Sequence, residues 1–162
     1  MKAYSNDGKT FNLTDGDHWI GEIVYENAFF YRAEIKLSEP LGYSIKPVGT
    51  FDSGFVLSQG DTEVASLAMT WNGKIVISFH HGKEYALKLS HFFSGKFVVE
   101  NALGEPVAAL EPQFDWKAFH YSYDLQYDIT PGQAGSPLLL ILCVYAANFF
   151  IACMSGANAG MM

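Results

Sequence analysis

The sequence predicts an all-β-dominated domain: about twelve antiparallel strands closed into a barrel around one hydrophobic C-terminal helix. Three observations predict it. Short runs of alternating polar and apolar residues recur along most of the chain, the period-two signature of half-buried strands. Turn-forming pairs separate them, most clearly Asn72-Gly73, whose residues tolerate positive φ. The last charged residue is Asp128, and the 34 positions after it include a nearly unbroken apolar run, Leu138 to Met154.

In chain order, Asp15-Gly16-Asp17-His18 reads as a turn, and the strand region is taken to begin near residue 11. Strand-like runs follow at 19–25, 29–37, 43–47, 55–59, 63–71, 74–80, 84–89, 96–101, 106–110 and 118–128. Within 29–37, Tyr31, Ala33, Ile35 and Leu37 share one face and Arg32, Glu34 and Lys36 the other, so one face is core and the other wet. Asn72-Gly73 fits a two-residue type I′ hairpin between Trp71 and Lys74, and His81-Gly82, Ser94-Gly95 and Leu103-Gly104 are further turns. Successive hairpins make a meander, and ten to twelve strands at this spacing indicate a sandwich or barrel. No internal repeat is evident.

Thr130-Pro131-Gly132-Gln133-Ala134-Gly135 reads as a linker, with Ser136 as N-cap and Pro137 in the first turn of a helix over about 137–154 that stops at Gly156. A helix apolar on all faces lies in protein or in lipid. The run from Leu138 to Met154 is at the short edge for a membrane span, has no flanking Lys or Arg, and carries Asn148 in its middle. Its length of roughly 25 Å matches the height of a tilted barrel of six- to nine-residue strands, so a barrel plug is preferred to a tail anchor. Cys143 and Cys153, about 15 Å apart on such a helix, read as core thiols rather than a disulfide.

Residues 1–162 fit one domain. Aromatic content of 15% favours strands. The net charge of −7 argues against nucleic acid as partner. The charge is uneven: Val64 to Val99 holds Lys74, Lys83, Lys88 and Lys96 against Glu84 alone. With no charged and apolar leader at the start, a cytoplasmic location, or one peripheral to a membrane, is expected.

Strands closed by a terminal helix, here PLLLILCVYAANFFIA, with hairpins such as Trp71-Asn72-Gly73-Lys74 and Phe93-Ser94-Gly95-Lys96-Phe97 before a Gly-Glu-Pro hairpin, resemble the tubby-like domain. The likeness covers nearly the whole chain and is nearest to the LURP-one-related and phospholipid scramblase branch. It implies a twelve-stranded barrel around a hydrophobic helix. For tubby proteins it implies basic residues on phosphoinositide headgroups, and for scramblases calcium-dependent lipid movement. This chain carries a single arginine and no acidic calcium loop before its helix, departing from both functional patterns.

The candidate site is a cationic outer surface. With Ile75, Ile77, Phe79, Tyr85, Leu87 and Leu89 facing inward, Lys74, Lys83 and Lys88 are expected to gather near His80 and His81 and hold an anionic phospholipid headgroup or phosphate. The expected function is a non-enzymatic binding module. Alternatives are a protein-binding scaffold, a scramblase-like transporter, or an aspartic-type peptidase on Asp52 of Phe51-Asp52-Ser53-Gly54, whose chemistry needs a second carboxylate. Asp15-Gly16-Asp17-His18 and His80-His81 lack the ligand sets of calcium or zinc sites. His120 and Asp124 are too far apart along a strand to bond. No catalytic residue, metal or cofactor is assigned.

Overall fold

The computed structural model describes residues 1–26, 32–48, 54–90, 95–115, 120–127 and 136–160; the side chains of Asp115, His120, Ser136 and residues 154–160 lie outside that description. Twelve strands precede one helix. They are β1 (Lys2–Ser5), β2 (Thr10–Asp15), β3 (His18–Tyr25), β4 (Ala33–Lys36), β5 (Tyr43–Pro47) and β6 (Gly54–Gln59). Then come β7 (Thr62–Met69), β8 (Ile75–Phe79), β9 (Glu84–Ser90), β10 (Lys96–Asn101), β11 (Pro106–Asp115) and β12 (His120–Tyr127). The helix α1 spans Ser136–Gly160.

Every strand pairs antiparallel with its neighbours in sequence, and β12 pairs with β1, so the meander closes into a barrel. Closure removes both sheet edges. Alternation decides the facing as expected: Ile75, Ile77 and Phe79 are buried, as are Ala33, Ile35 and Leu37. Tyr31 lies outside the described residues.

The helix fills the lumen. Leu138 to Phe149 are buried on all sides, twelve residues or about 18 Å of helix. Tyr145 stacks on Tyr25 of β3 and meets Phe55 of β6 edge-on, with ring centroids 5.8 and 5.5 Å apart. Phe149 and Phe150 rest on Phe55 and on Phe97 of β10. Asn148 bonds to Tyr25 and to Tyr123 of β12. One helix touching strands on opposite sides of the barrel is a plug. Among the described residues, no helix is long and apolar enough to cross a membrane.

Several expectations are corrected. The sheet begins at Lys2, not near residue 11, because β1 is needed to close the barrel between β2 and β12. The strand expected over 106–110 runs on to Asp115, paired with β12 along its length. The helix continues past Gly156 to Gly160; isolated glycines cost about 1 kcal/mol each in a helix and do not terminate it as proline does.

The Asn72-Gly73 turn is a three-residue loop, Trp71-Asn72-Gly73, not a two-residue one. The Thr70 N–H donates to the Lys74 carbonyl, the Gly73 N–H donates to the Thr70 carbonyl, and Gly73 has φ +84°. The same pattern recurs at His80-His81-Gly82 and Ala102-Leu103-Gly104. A β-turn followed by a left-handed glycine is the usual three-residue hairpin. By contrast, Gly16-Asp17 and Gly60-Asp61 are two-residue turns.

An internal repeat is present after all. The register shifts after Leu13 in β2, after Leu57 in β6 and after Val99 in β10. Each follows an inward Phe two residues earlier (Phe11, Phe55, Phe97), and each bulged residue precedes a small one, as Ile20-Gly21, Val64-Ala65 and Val107-Ala108. Two adjacent apolar residues break the alternation, and the sheet absorbs the extra one as a bulge that bends the strand. The barrel is therefore three bulged hairpins, each carried on by two further strands, with β12 and β1 completing the third.

Candidate functional site

Because successive turns fall at opposite ends of a meander, the barrel has two chemically distinct ends. The β2–β3, β4–β5, β6–β7, β8–β9 and β10–β11 turns lie at one, where the helix enters after β12. The β1–β2, β3–β4, β5–β6, β7–β8 and β9–β10 connections lie at the other, where Phe149 and Phe150 sit near the starts of β6 and β10 and the helix leaves.

This geometry divides the expected cluster. His80, His81 and Lys83 are in the β8–β9 turn at the entry end, and Lys74 is in the β7–β8 loop at the exit end. The five residues of β8 hold them about 17 Å apart. His80 Nε2 is 3.7 Å from a Glu63 carboxylate oxygen. His81 stacks flat against Phe79, and its Nδ1 accepts the Lys83 N–H at 3.4 Å. Lys88 faces outward, as expected, but its Nζ is 2.6 Å from Glu100. Lys74 and Lys88 do come together: extending the Ile75↔Leu87 register by one residue puts them side by side.

Sorting the described charges by end shows what sequence reasoning missed. In the loops and the two strand residues nearest them, the exit end holds Lys9, Arg32, Lys46, Lys74 and Lys96 against Asp7, Glu26, Glu34 and Asp115. The entry end holds Lys2, Lys36 and Lys83 against Asp15, Asp17, Glu39, Asp61, Glu63, Glu84, Glu100 and Glu105. Among the described residues, charge is segregated along the barrel axis, with carboxylates gathered at the entry end. Assigning odd and even turns to opposite ends is the sequence signal that finds it.

Pairing sharpens the contrast. At the entry end Lys2 and Lys36 sit at 4.0 Å from Asp124 and Glu22, and Lys83 has no ion pair within 4.0 Å among the described residues. Lys9, Arg32, Lys46 and Lys74 have no ion pair within 4.0 Å among the described residues. Lys96 is 3.7 Å from the half-exposed Glu111. Asp7 is committed to its own turn: its Oδ1 accepts the Thr10 and Lys9 N–H groups at 2.8 Å each. The Thr10 N–H bond, and then that from Lys9, hold its carboxyl below the ordinary range. Arg32 and Lys46 line a cleft of about 160 Å³ with Glu26 and Glu34.

A larger outer groove of about 610 Å³ runs across β9 to β12, with Val98, Val107 and Ala109 in its lining and Lys88, Lys96 and Glu100 among its polar groups. Asp52 lies outside the described residues. Asp124 is engaged by Gln113 and Lys2. Among the described residues, no group of three or more His, Cys, Asp or Glu side chains is placed to hold a metal ion. Searches of protein-family models, curated proteins and solved structures return no match.

Proposed function

We propose that this chain is a non-enzymatic binding module of the tubby-like, LURP-one-related kind, taking an anionic, phosphate-bearing ligand at the exit end of the barrel. The observation that carries the reading is the segregation of charge, with four cations at that end free of ion pairs among the described residues. Lysine on exposed loops is a point charge without the bidentate fork of arginine. It therefore suits an extended anionic surface or a loosely held phosphate, where each cation near an anionic membrane contributes about 1 kcal/mol. The acidic entry end turns away from the same surface, so this segregation also orients the approach.

Flotation with phosphatidylcholine vesicles, with and without phosphatidylserine, tests this, and titration with inorganic phosphate separates a headgroup from free phosphate. Binding to the anionic vesicles is expected at low salt and weakens as salt rises. The double charge reversal Lys46→Glu/Lys74→Glu lowers it about tenfold or more, and Lys83→Glu at the opposite end leaves it unchanged. No binding to anionic vesicles or phosphate at low salt overturns the reading. The β9–β12 groove favours a second reading, a protein-binding scaffold, which predicts that filling it with Ala109→Trp abolishes partner capture without affecting vesicles.

A further inference from the structure

Trp71 is 98% exposed at the tip of the β7–β8 loop, beside Lys74. A bare indole is an unusual thing to hold in water, because aromatic side chains dominate core and interface burial. The loop does hold it: the Thr70 hydroxyl bonds to Asn72 and accepts the Lys74 N–H at 3.2 Å, and the strands on either side are paired. Trp71 is thus presented by a built turn at the cationic end. The uncharged helix leaves the barrel at that same end.

We propose that the barrel docks end-on to an anionic lipid bilayer, with Trp71 as its interfacial anchor and Lys74, Lys46, Arg32 and Lys9 against the headgroups. This inference rests on the anionic-ligand reading above and deepens it by naming the partner. A soluble phosphate would use Lys74 and leave the indole in water. A bilayer interface takes both, since tryptophan rings partition to the headgroup level and lysines to anionic lipid. Exposed apolar side chains alone do not decide the matter: Leu103 and Leu41 are 83% and 58% exposed at the entry end, but the surrounding carboxylates repel an anionic surface. The entry end also exposes Trp19 and Tyr127, at 44% and 43%, and holds Lys83, but it carries eight carboxylates as well. Among the described residues, the exit end sets an almost fully exposed indole among four cations without ion pairs.

The test uses the full chain with Trp19→Phe and Trp116→Phe, so that Trp71 is the sole tryptophan. Phosphatidylserine-containing vesicles are expected to shift its emission to the blue, and lipids brominated near the headgroup quench it; phosphatidylcholine alone does neither. In the otherwise native chain, Trp71→Ala keeps its circular dichroism and loses about tenfold or more in vesicle partitioning, and Trp71→Phe recovers part of the loss. Vesicle binding that is lost in Lys46→Glu/Lys74→Glu but unchanged in Trp71→Ala, with unshifted emission, overturns the anchor and leaves the anionic-ligand reading standing. Full displacement by inorganic phosphate also overturns bilayer docking. Absence of vesicle binding overturns both.

Discussion

Asn148 sits in an apolar helix because two tyrosines meet it there. Its Oδ1 accepts the Tyr123 hydroxyl at 2.6 Å, and its Nδ2 donates to the Tyr25 hydroxyl at 3.0 Å. All three are buried, where a lost partner costs more than the bond was worth in water. The trio ties α1 to β3 and β12 at one height and rotation, which nonspecific apolar packing does not fix. Asn148→Leu, of similar volume, is expected to destabilise the fold by about 2–4 kcal/mol in urea unfolding. Adding Tyr123→Phe recovers part of that loss, because removing both ends of a bond costs less than orphaning one. An Asn148→Leu midpoint equal to the parent's would show that packing alone positions the helix. From sequence, Asn148 is legible as an argument against lipid; its partners, 25 and 123 positions away, are not.

At the scale of elements, strand facing follows from alternation and is read correctly from the residues. The bulges are harder. In each bulged hairpin the residue after the bulge is small, and Gly21 takes the place that Ala65 and Ala108 hold in the other two. A Cβ on Gly21 would lie 2.6 Å from Leu37 Cδ2 and 2.8 Å from the Lys36 carbonyl oxygen. The carbonyl belongs to the paired strand and cannot step aside as a side chain can. Gly21→Ala is therefore expected to lower stability by about 1–3 kcal/mol through overpacking, measurable as a lower Tm. Ala65→Gly costs about 1 kcal/mol or less, from backbone entropy. Equal effects at the two positions would mean that the repeats are not matched in packing as they are in register.

At the scale of the whole molecule, closure and plugging make one core, and the ionisable groups inside it set an alkaline limit. Burial pushes the Cys143 thiol up to about 12, from an ordinary value of 9.0, and raises the Tyr25 and Tyr123 hydroxyls well above 10.0. These folded values lie above the unfolded ones. Stability is therefore fully present below about pH 9 and is lost as pH rises beyond it, because the unfolded chain releases protons that the folded chain keeps. Each group steepens the loss by at most about 1.4 kcal/mol per pH unit. Urea midpoints should be flat from neutral pH to about pH 9 and fall above it, less steeply in Cys143→Ala. A flat profile to pH 11 would show these groups reaching solvent.

The sequence by itself determined the fold class, the inward face of most strands and the helix as plug, because period-two alternation and an uncharged apolar run are local properties of neighbouring residues. It also showed a local excess of cations over carboxylates between Val64 and Val99. Only the tertiary structure decided where the cations go. A hairpin meander sends consecutive turns to opposite ends, so Lys74 and Lys83, nine positions apart, face away from each other, whereas Lys74 and Lys46 share an end. Closure recruited β1, a strand too short to announce itself, since its pairing with β12 is fixed by residues more than a hundred positions away. The repeat was hidden for a related reason: it resides in inward positions and register shifts shared by three hairpins, and register exists only once strands are paired.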